Sequence, residues 1–336
     1  MKTGVFAITR GGRKLAAKLC VLLDDATLLE QQPGEKIAET ITANWRRFDG
    51  FICIMATGIV VRAIAPLLED KLTDPCVVVL DEKGRHAISL LAGHIGGGNE
   101  LAEKVAGLLG GTPVVTTASD TLGLVALDVW VNEQGLFVPN RGDLTSLSTL
   151  LVNRKTLLLY ADVQVSSLPN GIVQVDDPGK ADFIVSHFTG LAQTCPTFRP
   201  PNLVVGIGCN RGTQVHEFEE ALDELFIELR LSRASIRNLA SIDKKNDEVG
   251  LLQFAANNFW QIAFFDCDTI NKLKNLEISF AALRAVGAIG VAEPSALLSA
   301  QSNQLLSRKK KWKNVTMAVA QVPFSLSAQG RDQSKT

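Results

Sequence analysis

His94 stands inside LLAGHIGGGNE, residues 90–100, and is the one histidine of four that is embedded in a glycine run. Its intrinsic pKa lies near neutrality, which suits a general base or acid at physiological pH. Asp120, in TTASD, is placed by the same reading near His94, although an aspartate in that setting is at least as readily a helix cap or an Asx-turn residue as a catalytic group. Gly93, Gly96, Gly97 and Gly98 give a backbone that can lie close against a ligand. Asn99 suits the N-cap of the helix that follows, leaving N–H groups to face an anionic or carbonyl-bearing molecule. Glu100, in the first turn, reads as ordinary dipole stabilisation.

The elements that must position these residues follow from periodicity. From Thr3 to about Val131, short β-branched runs alternate with helical patterns, which predicts a largely parallel sheet flanked by helices. Three loops after predicted strands carry unusual residues: ATGIVVR with Thr57, Gly58 and Arg62, then AGHIGGGNE, then TASD with Thr117, Ser119 and Asp120. In a parallel sheet all three point to one rim, where open α/β sheets bind ligands.

Residues 132–197 read as a small α/β middle segment with no chemical motif, and TCPTFRPPN makes an interdomain linker. Residues 203–323 form a second α/β domain, and 324–336 are a polar, disordered tail. The expected fold class is therefore two α/β domains with mostly parallel sheets, joined by the middle segment and the proline-rich linker.

Several chemistries are excluded by pattern. His86, His94, His187 and His216 show no metal-ligand spacing, and no G-x-S-x-G elbow supports a serine triad. Gly206, Gly208 and Gly212 follow a strand, but the third glycine is one position late for a dinucleotide fingerprint and the expected acidic residue is missing. Arg211 in that loop remains able to hold a ligand carboxylate. The cluster Asp243, Lys244, Lys245, Asp247 and Glu248 reads equally as a solvated loop or a site. Lys309, Lys310, Lys311 and Lys313 read as a solvated turn whose charge would suit a polycarboxylate.

A net charge of −1 argues against nucleic acid and anionic membrane as partners and favours a small molecule. The six cysteines are scattered without a CxxC pair, as expected of reduced, buried thiols in a cytoplasmic protein. The N-terminus reads as a first strand rather than a signal peptide, and no apolar stretch is long enough to span a bilayer.

The run GIVVRAIAPLLEDKLTDPCVVVLDEKGRHAISLLAGHIGGGNELA, then PVVTTASD, VGIGCNRG, LASIDKKNDEVGLLQFA, VAEPSALL and VTMAVA in that order, resembles the cobalt-precorrin-5A hydrolase family of oxygen-independent cobalamin biosynthesis. The resemblance covers most of the chain and is weakest in the middle segment. It implies a hydrolase acting on a carbon–carbon bond of a cobalt tetrapyrrole, during the ring contraction that leads to vitamin B12. The δ-lactone is opened by water, and the bridging carbon leaves with its methyl group as acetaldehyde, giving cobalt-precorrin-5B.

Cobalt arrives on the substrate, so no separate cofactor is implied, and other enzymes of the pathway are expected only as transient partners. In this picture His94 activates water or takes the proton of the released hydroxyl, with Asp120 as its partner. Glycine-loop N–H groups stabilise the lactone oxyanion, and Arg62 pairs with a peripheral carboxylate. Thr57, Gly58 and Thr117 complete the first-domain set, while Arg211, Lys245, Glu248 and Glu293 grip the far edge of the macrocycle. Two rival readings stay open: a corrinoid carrier without chemistry, and a nicotinamide-dependent reductase.

Overall fold

Both faces of the first strands are apolar, so the sheet they form must be covered on two sides. The computed structural model describes residues 1–32, 34–70, 73–192, 195–274 and 276–329, and the chain falls into two compact units, Met1–Val129 and Trp130–Thr336. The first begins with β1 (Thr3–Ala7), α1 (Arg10–Leu22), β2 (Ala26–Leu29), α2 (Ile37–Asn44), β3 (Gly50–Ile54) and α3 (Thr57–Ile64). It continues with β4 (Cys76–Leu80), β5 (His86–Leu91), α4 (Gly98–Leu109), β6 (Thr112–Val114), α5 (Ala118–Thr121) and the start of α6 (Leu127–Glu133). Strand order is β2-β1-β3-β4-β5-β6. Val5, Ile52 and Val78 pack against Ala16, Leu19 and Val105 of α1 and α4, while the alternate residues Phe6, Phe51 and Val77 cluster with Ile41 and Val60 of α2 and α3. This two-residue period makes a three-layer sandwich.

β1 to β4 run parallel, but β5 is antiparallel to β4, and β6 is parallel to β5. The cause is local. Only Asp81 to Arg85 separate β4 from β5, and a parallel return needs a crossover of a dozen or more residues. The Asp81 carboxylate fixes this hairpin by accepting from the backbone N–H of Lys83 (2.9 Å) and of His86 (2.8 Å), with Gly84 at φ +67°. The expectation that three loops share one rim is thereby overturned. The loops after β5 and β6 lie together, whereas Thr57, Gly58 and Arg62 follow β3 at the opposite rim, about 17 Å of strand away.

In the second unit, α7 (Arg141–Arg154), β7 (Leu157–Ala161), β8 (Gln164–Val165), β9 (Ile172–Gln174), β10 (Phe183–Val185) and β11 (Thr197–Phe198) come first. Their main sheet, β11-β10-β7-β9, is parallel throughout. The proline-rich stretch expected as a linker supplies β11, an edge strand whose Phe198 is fully buried; an edge is where prolines are tolerated. Arg199 ties it inward, donating from Nη1 to the carbonyls of Ser186 (2.9 Å) and Phe188 (2.6 Å).

The chain goes on through β12 (Leu203–Cys209), α8 (Val215–Glu228), β13 (Ile236–Ile242), α9 (Val249–Asn257), β14 (Ile262–Phe265), α10 (Cys267–Asn271) and α11 (Phe280–Val286). It closes with α12 (Ala292–Ala300), β15 (Leu305–Lys311), β16 (Val315–Gln321) and β17 (Ser325–Leu326). The five-stranded sheet β14-β13-β12-β16-β15 is mixed, because β16 is antiparallel to both its neighbours. Val205, Ile207 and Leu239 pack on Phe218, Leu222 and Phe254 of α8 and α9, and Val204 and Ala240 pack on Ala296 and Ala300 of α12. α12 approaches closely because Gly206 has no side chain: a Cβ there would stand 1.9 Å from the Ala292 carbonyl oxygen.

The lysine run expected as a solvated turn belongs to edge strand β15 as far as Lys311. The polar tail expected from residue 324 instead opens with β17, which pairs with β8 and fully buries Leu326; residues 330–336 lie outside the described residues. Among the described residues, no helix is long and apolar enough to cross a membrane.

Candidate functional site

His94 leaves β5 in a loop that folds on itself. Gly97, at φ +78°, is the N-cap of α4, and Gly93 must lack a side chain because a Cβ there would stand 2.6 Å from the Asn99 Oδ1. The helix starts at Gly98, so Asn99 is in its first turn and is not its cap. The Asn99 side chain turns outward instead, donating from Nδ2 to Asp120 Oδ2 (2.7 Å) and to Thr117 Oγ1 (3.1 Å). Three of the expected oxyanion donors are also spent. The N–H of Gly97 goes to the His94 carbonyl (2.8 Å), that of Gly98 to Ala92 (3.1 Å) and that of Asn99 to Gly93 (2.9 Å). Gly96 is packed over Ala92, with an added Cβ 2.7 Å from its carbonyl oxygen. The glycines thus build a compact loop for His94 rather than an open cradle.

The imidazole is held at both nitrogens. Nε2 lies 3.2 Å from Asp120 Oδ2 and 3.2 Å from Ser119 Oγ, while Nδ1 lies 3.4 Å from Asp128 Oδ1. The hydrogen bond to Asp128, with the charges of Asp128 and Asp120, holds the His94 pKa above its ordinary 6.5, against a smaller opposing effect of burial. Asp120 is the most open of the three, its side chain 38% exposed against 19% for His94 and 17% for Asp128. Such a ring, flanked by two carboxylates and a hydroxyl, can take a proton from an attacking oxygen and return it to a leaving one.

The structure therefore brings together His94, Asp120, Asn99 and Thr117, as expected, and leaves Thr57, Gly58 and Arg62 at the other rim. There Arg62 turns back on its own helix, donating from Nη1 to the Gly58 carbonyl (2.9 Å). Asp128 was missed. Its signal in sequence is faint: an aspartate opening a short helical pattern, LDVW, just after TTASD.

In the second unit a cleft of about 310 Å³ opens beside the carboxyl end of β12, lined among others by Asn210, Lys245, Glu293, Lys309, Lys311 and Lys313 over an apolar floor that includes Val291 and Trp312. Alternation along β15 explains the lysines. Lys310 turns to α8, where it pairs with Glu224 (2.8 Å) and Glu228, while Lys309 and Lys311 face the cleft. Lys245 and Glu248, expected in a loop, are buried and paired at 3.4 Å, and Glu248 also accepts the Gly212 N–H (2.8 Å). Glu293, at the start of α12, accepts the Lys309 N–H (2.9 Å). Arg211 does not line the cleft: its guanidinium is bound to Asp247 and to the Lys244 carbonyl (2.8 Å), and the Asp247 contact holds its pKa above the ordinary value.

Comparison with known proteins matches residues 39–120 to the family described as Cobalamin synthesis G N-terminal and residues 203–320 to Cobalamin synthesis G C-terminus. The cobalt-precorrin-5A hydrolase of Priestia megaterium is 31% identical, the alignment covering 95% of this chain and 95% of the relative. The cobalt-precorrin-5A hydrolase of Salmonella typhimurium is 30% identical over 94% of this chain and 96% of its own.

Proposed function

Because the chain belongs to the cobalt-precorrin-5A hydrolase family, we propose that it opens the δ-lactone of that cobalt tetrapyrrole with water and releases the bridging carbon as acetaldehyde, giving cobalt-precorrin-5B. The observation that carries this reading is the His94 ring, fixed between Asp120 and Asp128 at an exposed rim. Lactone opening needs a base for the oxygen that attacks the carbonyl and an acid for the oxygen that leaves, and one imidazole serves both in turn.

The carbinol so formed then loses its O–H proton to the same base. Its carbon–carbon bond to the macrocycle breaks as the C=O of acetaldehyde forms, and the electron pair stays on the macrocycle until a proton quenches it. Asp120 and Asp128 stabilise the imidazolium at each stage. Taken by itself, the cleft of the second unit, with Lys245, Lys309, Lys311 and Lys313 above an apolar floor, suits carboxylate groups carried on a flat apolar ligand.

The test is anaerobic incubation of the purified protein with cobalt-precorrin-5A, with volatile aldehyde trapped and the tetrapyrrole weighed by mass spectrometry. Acetaldehyde and the matching loss of mass are expected, and His94→Ala should slow their release by roughly two orders of magnitude or more with little change in corrinoid affinity. Tight corrinoid binding without aldehyde from the wild-type protein would make it a carrier instead.

A further inference from the structure

The order of groups through His94 is carboxylate, imidazole, hydroxyl: Asp128 Oδ1 at Nδ1 (3.4 Å) and Ser119 Oγ at Nε2 (3.2 Å). From this geometry we propose that Ser119 is the nucleophile of the lactone-opening step, acting through a covalent acyl-enzyme, with Asp128 as the positioning residue of its base. The proposal rests on the hydrolase reading and specifies which oxygen attacks first.

Three observations support it. When the imidazole gives its Nδ1–H to Asp128 and has lost the Nε2 proton that Asp120 otherwise accepts, its Nε2 lone pair is open to the proton of a hydroxyl, and Ser119 supplies one at 3.2 Å. The serine is also fixed in place, since its carbonyl accepts from the N–H of Leu122 (3.2 Å) and of Leu124 (2.9 Å). Finally, the second carboxylate at Nε2, Asp120, is anchored by Asn99, so it remains beside the ring to stabilise the imidazolium once the serine proton has moved. The three residues come from three segments, the loop after β5, the first turn of α5 and the first turn of α6. A triad of this kind is recognised by geometry rather than by a local motif.

The steps balance with one water and no change of oxidation state. Ser119 Oγ adds to the lactone carbonyl carbon as its proton passes to Nε2. The ring C–O bond then breaks, and the departing carbinol oxygen takes that proton. The ester between Ser119 and the acetate side chain is attacked by water, whose proton goes to Nε2. Its C–O bond breaks, the serine oxygen is reprotonated, and the free carboxylate is released.

The experiment is an anaerobic first-turnover mixture quenched in acid, read by intact-protein mass and peptide mapping beside acetaldehyde release. The wild-type protein is expected to carry an adduct of the tetrapyrrole, with or without the acetaldehyde fragment, on the peptide holding Ser119. Ser119→Ala should carry none and turn over roughly a thousandfold more slowly, with corrinoid affinity and circular dichroism unchanged. Ser119→Cys, which keeps a nucleophile in place, should recover an adduct at that position. Asp128→Asn should slow turnover and move the rising limb of its pH profile to lower pH, which a merely structural role would not do.

Ser119→Ala turning over within about threefold of wild type would overturn the nucleophile while leaving the hydrolase reading intact. If the wild-type protein releases no acetaldehyde, the hydrolase reading fails. The lactone step falls with it, and labelling with diisopropyl fluorophosphate judges the serine alone: a stoichiometric label on Ser119 that His94→Ala abolishes upholds its activation by His94, and no label overturns that as well.

Discussion

Glu248→Gln isolates a buried ammonium with almost no change of shape. Lys245 and Glu248 are 7% and 4% exposed and stand 3.4 Å apart, a separation worth about 5 kcal/mol at an effective dielectric constant near 20. Glutamine retains a carbonyl oxygen to accept the Gly212 N–H, so the loss falls on the charge alone. Removing one partner of a buried pair costs about 3–5 kcal/mol, because the remaining charge keeps its desolvation penalty without the compensating attraction. For a unit of about 200 residues each kcal/mol moves Tm by about 2–4 °C, so the variant should melt about 10 °C below wild type. Calorimetry without substrate reads this directly. In a double-mutant cycle, Lys245→Met combined with Glu248→Gln should recover more than half of the loss, since no uncompensated charge then remains. A Glu248→Gln protein melting within roughly 2 °C of wild type would refute the reasoning.

Gly206→Ala drives a Cβ into the Ala292 carbonyl oxygen at 1.9 Å, and a backbone atom cannot swing aside; a loss of about 3 kcal/mol or more is expected in urea unfolding. The raised pKa of His94 fixes two signs. In the proposed role of base it works in its neutral form, so kcat/KM should climb with pH through a value above 6.5. The stability that its protonated form draws from Asp128 and Asp120 should be complete below 6.5 and fade as pH rises through that same folded value, a dependence that His94→Ala removes from pH-dependent urea melts. Burial pushes the Cys53 thiol up to about 12 and those of Cys76 and Cys209 to about 11, so native protein treated with iodoacetamide at pH 8 should show these three unmodified by peptide mapping, whereas the urea-unfolded chain labels at all six cysteines.

Where periodicity was long, the sequence was readable. α1, α4 and α8 carry sustained apolar stripes, and β3, β4 and β12 are continuous apolar runs. The half-buried β2, only four residues of ATLL, gave too few positions to establish a period. The direction of β5 is legible locally: five residues, DEKGR, between two apolar runs is a hairpin signal, which the alternation of strands and helices around it masks. A parallel β5 would put Arg62 at the rim of His94, and the hairpin puts it at the other. The nearness of Asp120 to His94 is legible because it shares a loop with Thr117, whereas that of Asp128 is not, because short α6 hides it among apolar neighbours. The lysines of β15 read as solvated because consecutive charges look uniform in sequence, yet a strand sends alternate ones to opposite faces, and of these lysines Lys310 meets the glutamates of α8.

The reversal at β5 also decides what is adjacent to the His94 loop. The rim carrying His94 is the one from which β1 departs, and a Cβ on Gly97 would stand 2.7 Å from the Met1 Cε. Residues fused ahead of Met1, such as a purification tag, would therefore emerge next to the His94 loop and compete for its solvent. For assays of this protein, the placement of a tag is part of the chemistry being measured.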